Sequence, residues 1–182
     1  MGPIVFVKFW FGMSAQSKLF SRYVTQLPPG ELSWIGVRPG RRLSMQALKA
    51  TQAVATLGLQ GDHRMEKTPG SGRQVTLISE EFIQQIGHFL GGKVVRPEQL
   101  RRNLVVRNIN LNALRYQTFK IGDAVFEATA LCHPCSRMEQ ELGKGGLAAM
   151  LGHGGLCCKV IHSGEISVGD RIELFTPQQS LL

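Results

Sequence analysis

Cysteine, aromatic residues and long apolar runs are all scarce in this chain of 182 residues. Its four cysteines are too few for a disulfide scaffold, so we expect a reduced, cytoplasmic protein. No apolar stretch is long enough to cross a bilayer, which predicts a protein without a membrane partner. Aromatic residues make up only 7% and do not alternate with basic residues, so stacking on single-stranded nucleic acid has little support.

The positive charge of the chain is unevenly distributed. Residues 1–60 carry seven Lys and Arg against one acidic residue, whereas residues 131–182 carry four against five, within a net charge of +8. A basic front half can recruit an anion such as a nucleic acid, an acidic lipid or a phosphorylated small ligand. A solvated basic face without a ligand is the alternative interpretation.

Short alternating segments between glycine turns predict a mainly β fold. One helix is predicted from the Ser79 cap to Leu90, and two short ones between Met138 and Leu151. Residues 47–57 fit either a strand or a helix, and residues 163–170 read as turns. Because helices and strands do not alternate regularly, we predict a closed or nearly closed β-barrel with a few short helices. The predicted strands cover residues 32–37, 73–78, 101–106, 111–116, 119–125 with a turn at Gly122-Asp123, 156–161 and 171–175.

One folded domain is expected, because the chain has no internal repeat and no linker-like composition after Gly30. We place the β-barrel domain at residues 31–176. Residues 1–30 predict an N-terminal extension, for which disorder is an open alternative. Residues 177–182 predict a frayed tail.

Residues 130–139 place two thiols and an imidazole where an apolar alternating run gives way to a helix-forming run. The three side chains are Cys132, His133 and Cys135. Backbone N–H groups at the start of a helix favour a thiolate over a thiol. If the protein does chemistry, we therefore expect Cys135 to be the catalytic residue.

The two cysteines of this segment admit other interpretations. A Cys-x-x-Cys pair between a strand and a helix is typical of thioredoxin-like redox proteins, although about six strands precede it here. Zinc is a further alternative, with Cys132, Cys135 and His153 or a later cysteine as ligands. Inert thiols are another. The adjacent Cys157 and Cys158 fit an inert role, because neighbours in a strand point to opposite faces and cannot readily pair.

Six short motifs occur in an order that resembles the MOSC domain family, named for the C-terminal domain of molybdenum-cofactor sulfurases, and in particular its stand-alone members. The resemblance extends over about residues 32–175. Each motif is weak by itself, whereas six in the right order are specific. The motifs are residues 58–63, 102–104, 120–124, 134–139, 152–155 and 164–170.

The resemblance implies a β-barrel that binds the molybdenum cofactor, a pterin that carries a phosphate and a dithiolene-held metal. In relatives that reduce N-hydroxylated compounds, a cysteine matching Cys135 ligates the metal, and a soft thiolate suits molybdenum. Arginine forks and backbone amides suit the phosphate, and an amide suits a pterin edge. The residues expected to bind the cofactor are Gly61, Asp62, His63, Arg73, Arg102, Asn103, His133, Arg137 and Gly154, with Arg101 as a further phosphate ligand.

Three functions remain open from the sequence. The first is reduction of N-hydroxylated small molecules; no cysteine spacing suits a plant-type iron–sulfur cluster, so the electrons need a partner reductase. The second is a carrier that holds the cofactor, or a persulfide on Cys135, and delivers it to a cofactor-accepting enzyme. The third, of another class, is a basic β-barrel that binds nucleic acid.

Overall fold

A computed structural model describes residues 15–175, apart from a few side chains of the first helix. The strands of this part of the chain are β1 (Gly30–Val37), β2 (Gln46–Leu48), β3 (Ala50–Val54), β4 (Gly58–Leu59), β5 (Val75–Ser79), β6 (Leu104–Arg107), β7 (Thr118–Ile121), β8 (Ala124–Leu131), β9 (Leu156–His162), β10 (Gly164–Ser167) and β11 (Arg171–Leu174). The helices are α1 (Ala15–Val24), α2 (Glu80–Phe89), α3 (Pro97–Leu100), α4 (Arg137–Leu142) and α5 (Gly146–Ala149), with 3₁₀ turns at His63–Glu66 and Leu111–Leu114.

Seven of these strands form a closed barrel, which confirms the predicted fold class. Their order is β11-β7-β8-β9-β5-β6-β1, and β1 closes the ring by pairing with β11 through Gly30 and Glu31. Strand β2 continues along the other half of β1, and β10, β3 and β4 form a small second sheet. The strands β5 and β6 pair in parallel, joined by the crossover of α2 and α3, whereas their other neighbours are antiparallel.

Apolar residues form two cores on opposite faces of β5 and β6. Leu77 and Leu104 point into the barrel, where Phe119 and Phe126 stack with ring centroids 5.7 Å apart. Ile78, like Val105 of β6, points outward to a second core that holds α2, α3, α4 and α5 against the barrel. Because both faces are covered, every residue of β5 is buried. The second core therefore decides where α4 begins, directly after the cysteine loop.

Two predicted elements were wrong. Residues 111–116 do not form a strand: Leu111–Leu114 is a 3₁₀ turn, because Leu111 and Leu114 lie three residues apart and both enter the barrel core. Residues 163–170 are not only turns, since Gly164–Ser167 is β10, which pairs with β3 and buries Ile166 completely. In both places tertiary burial outweighed the local pattern.

The segment expected as an N-terminal extension contains α1. Val24, the last residue of this helix, is buried in the barrel core, so the folded domain begins before residue 31. Residues 1–14 and the tail 177–182 lie outside the described residues. Across residues 15–175, none of the helices combines the length and the apolar character needed to cross a membrane.

Candidate functional site

The loop of residues 132–136 joins β8 to α4, as the sequence predicted. Cys135 is exposed, and its carbonyl oxygen accepts a hydrogen bond from the backbone N–H of Met138 at 2.8 Å. Met138 is buried in the second core, and the carboxylate of Glu139 accepts hydrogen bonds from Gly145 N at 2.7 Å and Leu147 N at 2.9 Å. The residues after Cys135 therefore hold the start of α4 in place and leave the thiol at the surface.

An arginine-lined cleft begins at the residue that follows Cys135. Ser136 lines a cavity of about 490 Å³ together with Arg42 and Arg137. Arg42 and Arg137 also line a neighbouring cavity of about 280 Å³, whose wall includes Arg96 and Arg101. We call Arg42, Arg96, Arg101 and Arg137 the arginine cleft. Arg137 was predicted as a site residue, whereas Arg42 and Arg96 were missed.

Positive charge in the arginine cleft exceeds the negative charge around it. Its four guanidiniums face two carboxylates, and Glu141 accepts from Arg137 Nε at 3.1 Å within α4. Burial, followed by the proximity of other guanidiniums including Arg137, lowers the pKa of Arg101. Arg42 and Arg101 have φ angles of 68° and 55°, the left-handed region that non-glycine residues seldom adopt. Such crowding of cations and backbone strain are typical of ligand sites.

Beneath the cleft lies a buried polar network around Asp62. One carboxylate oxygen, Oδ2, accepts hydrogen bonds from Arg38 Nε at 3.0 Å and from Asn103 Nδ2 at 2.7 Å. Asn103 Oδ1 accepts from Arg38 Nη2 at 3.0 Å and from the hydroxyl of Thr76 at 3.0 Å. The network joins four separate segments of the chain, and each of its members is less than one-tenth exposed. It positions the loops around the site.

The side chain of Asn103, expected at a pterin edge, is fully buried and used internally. Its amide nitrogen donates to Gly36 O and to Asp62, and its oxygen accepts from Arg38 and Thr76. No donor of the amide is left to face a ligand. The side chains of Asn103 and Asp62 therefore hold neighbouring segments of the chain together and do not line the site.

Burial alone would raise the pKa of Asp62, but Arg38 and the hydrogen bonds from the backbone of Arg64 and Arg38 hold it below its usual value of 3.8. A carboxyl with a lowered folded-state pKa stabilises the protein above its unfolded-state pKa and loses that contribution as the pH falls through the folded value. We expect the unfolding free energy to fall on acidification below about pH 4. Denaturant titrations of wild type and Asp62→Asn should diverge above that pH and converge below it; parallel curves would contradict this.

Arg102 connects the cysteine loop to the turn before β9. Its guanidinium donates to Gly154 O at 2.8 Å, to Leu100 O at 2.9 Å and to Cys132 O at 3.4 Å. A Cβ atom at Gly154 would collide with the carbonyl oxygen of Cys132, so the two segments touch through backbone. The structure thus brings Arg102 and Gly154 together and places both against Cys132.

The sequence analysis favoured Cys135 over Cys132 as the reactive residue. In the structure, the pKa of the Cys132 thiol is lowered. The neighbouring Cys157 thiol, together with the positive charges of Arg102, Arg73 and Arg64, lowers the pKa of Cys132 to about 6 against the opposing effect of burial. The proximity of Cys132, followed by burial, raises the pKa of Cys157. The sequence did carry a signal for this arrangement. Side chains alternate between the two faces of β9, so Cys157 points away from the barrel core into which Cys158 points.

The remaining predicted site residues lie at the edges of this region. Gly61 is exposed with φ of 84°, and the Nδ1 atom of His63 lies 3.2 Å from Arg38 O. Arg73 is exposed, and its carbonyl oxygen accepts from Arg64 Nη1 at 3.0 Å. His133 is exposed.

The described part of the chain contains no set of side chains that could bind a zinc ion. Across residues 15–175, no group of three or more His, Cys, Asp or Glu side chains converges on a point where a metal ion could bind. A single thiolate is too few ligands for a structural zinc site.

Solved structures share this barrel. The YuaD protein from Bacillus subtilis superposes with a TM-score of 0.70 at 17% identity, covering 82% of this chain and 98% of that protein. YiiM from Escherichia coli gives 0.60 at 17% identity, covering 82% and 69%. YiiM from Geobacillus stearothermophilus gives 0.65 at 13% identity, covering 82% and 76%. At these identities the likeness shows the fold alone. No curated protein gives a significant sequence match.

The sequence itself shows the family. The profile described as "MOSC domain" matches residues 63–173, more than half of the chain, and spans the cysteine loop, Arg102 and Gly154. The closed barrel is the fold that the resemblance implied. The chain therefore belongs to the MOSC domain family, whose members are associated with the molybdenum cofactor.

Proposed function

We propose that this protein binds the molybdenum cofactor through Cys135 and reduces N-hydroxylated small molecules with electrons from a partner reductase. The observation that carries the proposal is an exposed thiol at the edge of the arginine cleft. Family membership supports the cofactor, and the substrate class follows from the sequence resemblance. In this proposal the thiol holds the metal, the arginine cleft binds the phosphate, and the buried network stabilises the loops around them.

The residues of this region fit the chemistry of the cofactor. Thiolate sulfur is a soft donor of the kind that molybdenum accepts, and Cys135 is exposed enough to reach an external metal. Guanidinium forks bind phosphate through two parallel hydrogen bonds, and Arg42 and Arg137 line both cavities. The larger cavity, of about 490 Å³, falls within the size range of small-molecule sites.

Cys135 would hold the metal, Arg42, Arg101 and Arg137 would bind the phosphate, and Arg102 would hold the cysteine loop against Gly154. When bound, the cofactor would supply two-electron redox chemistry to the substrate. The overall reaction consumes two electrons and two protons, breaks the N–O bond and releases an amine and water. The electrons would come from a partner reductase.

Cys135→Ser is expected to abolish bound molybdenum, because a serine hydroxyl is a hard, protonated donor. Protein purified from a host that synthesises the cofactor would be assayed for molybdenum and for pterin, with about one metal per chain expected in the wild type. Cys158→Ser is the matched control, since Cys158 is fully buried in the barrel core and should not affect the metal. Retention of molybdenum by Cys135→Ser, or a metal-free wild type from that host, would contradict the proposal.

The same exposed thiol also favours a carrier that delivers the cofactor, or a persulfide, to another enzyme. Substrate-dependent oxidation of the reduced, metal-loaded protein separates the two functions. An enzyme is reoxidised by an N-hydroxylated substrate, whereas a carrier transfers its cargo and leaves that substrate unchanged. Tight nucleic-acid binding with a steep salt dependence, in protein without metal, would instead point to the third function.

A further inference from the structure

A second pair of thiols lies beside the candidate site and has no part in the proposed metal chemistry. Ala130 is paired with Cys157 across β8 and β9, and the backbone N–H of Cys132 donates to Gly155 O at 2.8 Å. Cys132 is two residues beyond Ala130, so it lies on the same face as Cys157 in a diagonal position. The Cys157 thiol lies close to this end of β8, since its Sγ donates to the carbonyl oxygen of Leu131 at 4.0 Å.

The two members of this pair differ in exposure. Cys132 is half-buried at the end of β8, where a small reagent reaches it, whereas Cys157 is only 2% exposed behind it. Cys132 also lies past the last residue of β8, Leu131, so this end of the loop can shift more easily than a residue inside the sheet. Cys158 points into the barrel core and takes no part.

Three guanidiniums surround Cys132. Arg102 donates to its carbonyl oxygen, and Arg73 and Arg64 act on its sulfur through their positive charge. A thiolate is the nucleophilic form of cysteine, and neighbouring cations stabilise it. Cys157, with a raised pKa, keeps its proton and donates it to the carbonyl oxygen of Leu131. The pair is therefore divided into an attacking sulfur and a protonated neighbour.

We propose that Cys132 is a peroxide-reactive thiol that closes a disulfide with Cys157. In the first step the Cys132 thiolate attacks one oxygen of a hydroperoxide; an S–O bond forms, the O–O bond breaks, and the second oxygen leaves as water or an alcohol after taking up a proton. In the second step the Cys157 sulfur attacks the sulfenic acid; an S–S bond forms, the S–O bond breaks, and water leaves with the Cys157 proton. Two thiols lose two electrons, and the hydroperoxide gains them.

The disulfide would link the start of the cysteine loop covalently to β9, three residues before Cys135. Closure needs the two sulfurs to approach to bonding distance. The movement falls on Cys132, which lies past the last residue of β8. This reaction uses neither the metal nor the substrate of the proposed function, so it is tested on protein without cofactor.

The experiment treats the reduced full chain with hydrogen peroxide and maps its thiols by mass spectrometry. The wild type is expected to lose two hydrogen masses, with Cys132 and Cys157 joined in one cross-linked peptide pair. Cys157→Ser, which cannot close the bond, is expected to stop at a Cys132 sulfenic acid that dimedone traps. Cys132→Ser should leave Cys157 unmodified. Cys158→Ser and Cys135→Ser are the matched controls and should still form the disulfide.

A rate measurement makes the result independent of whether each variant folds. At pH 6, alkylation of Cys132 in the wild type is expected to be roughly tenfold faster than that of free cysteine, because a larger thiolate fraction outweighs its lower nucleophilicity. A disulfide that joins Cys132 to Cys135, dimedone on Cys135 in place of Cys132, or alkylation of Cys132 no faster than free cysteine would each overturn the proposal.

Discussion

Asp62→Ala is expected to lower the unfolding free energy by about 3–5 kcal/mol, because it leaves a buried guanidinium without its carboxylate. Arg38 lies 3.0 Å from the carboxylate of Asp62, and the two side chains are 9% and 1% exposed. Asn103 loses a hydrogen-bond acceptor at the same time. Because the network joins β1, the turn before the 3₁₀ helix and the start of β6, the loss also loosens the support of the site.

Equilibrium unfolding in urea measures this loss, and the surface pair of Lys159 and Glu127 provides the control. Those side chains lie 3.1 Å apart and are about one-third exposed, so Glu127→Ala should cost at most about 1 kcal/mol. A double variant that also replaces Arg38 by methionine removes the unpaired cation and should recover part of the loss. Equal effects of Asp62→Ala and Glu127→Ala would show that the buried network is not a structural support.

Gly155→Ala is expected to cost about 2–5 kcal/mol, the sum of a left-handed backbone penalty and a collision. Gly155 has φ of 86°, and a Cβ atom there would collide with the carbonyl oxygen of Leu77 in β5. Backbone cannot move aside as the end of a flexible side chain can. Since Gly155 O accepts the hydrogen bond from Cys132 N, the displacement would also reach the cysteine loop.

Gly152→Ala separates the two contributions of that penalty. Gly152 has φ of 80°, but a Cβ atom there meets nothing within 4 Å. Its replacement should cost only the backbone term of about 1–2 kcal/mol. Chemical denaturation of both variants, with alkylation of Cys132 as a second readout, tests the difference. If the two glycine variants lower the unfolding free energy equally, the close contact between Gly155 and β5 does not contribute to the cost of Gly155→Ala.

Elements whose signals are local could be predicted from the sequence. The helix after Ser79 is one example: the Ser79 hydroxyl accepts from Phe82 N at 3.2 Å, and α2 ends at Phe89, one residue before the predicted end at Leu90. The cysteine loop between β8 and α4 is another. The 3₁₀ turn Leu111–Leu114 and strand β10 were not predictable in this way, because their conformations depend on burial against distant strands.

The predicted site shows the same division. Six motifs in order were enough for the family and the barrel, and the change of pattern at Cys135 located the exposed thiol, since each signal is carried by residues adjacent in the chain. The arginine cleft could not be read in this way, because Arg42, Arg101 and Arg137 meet only after the second core has placed α3 and α4 against the barrel. The opposite character of Cys132 and Cys157 likewise arises from strand register and neighbouring charges. Local residue order determined the elements and the family, whereas long-range packing decided which charges and thiols lie together.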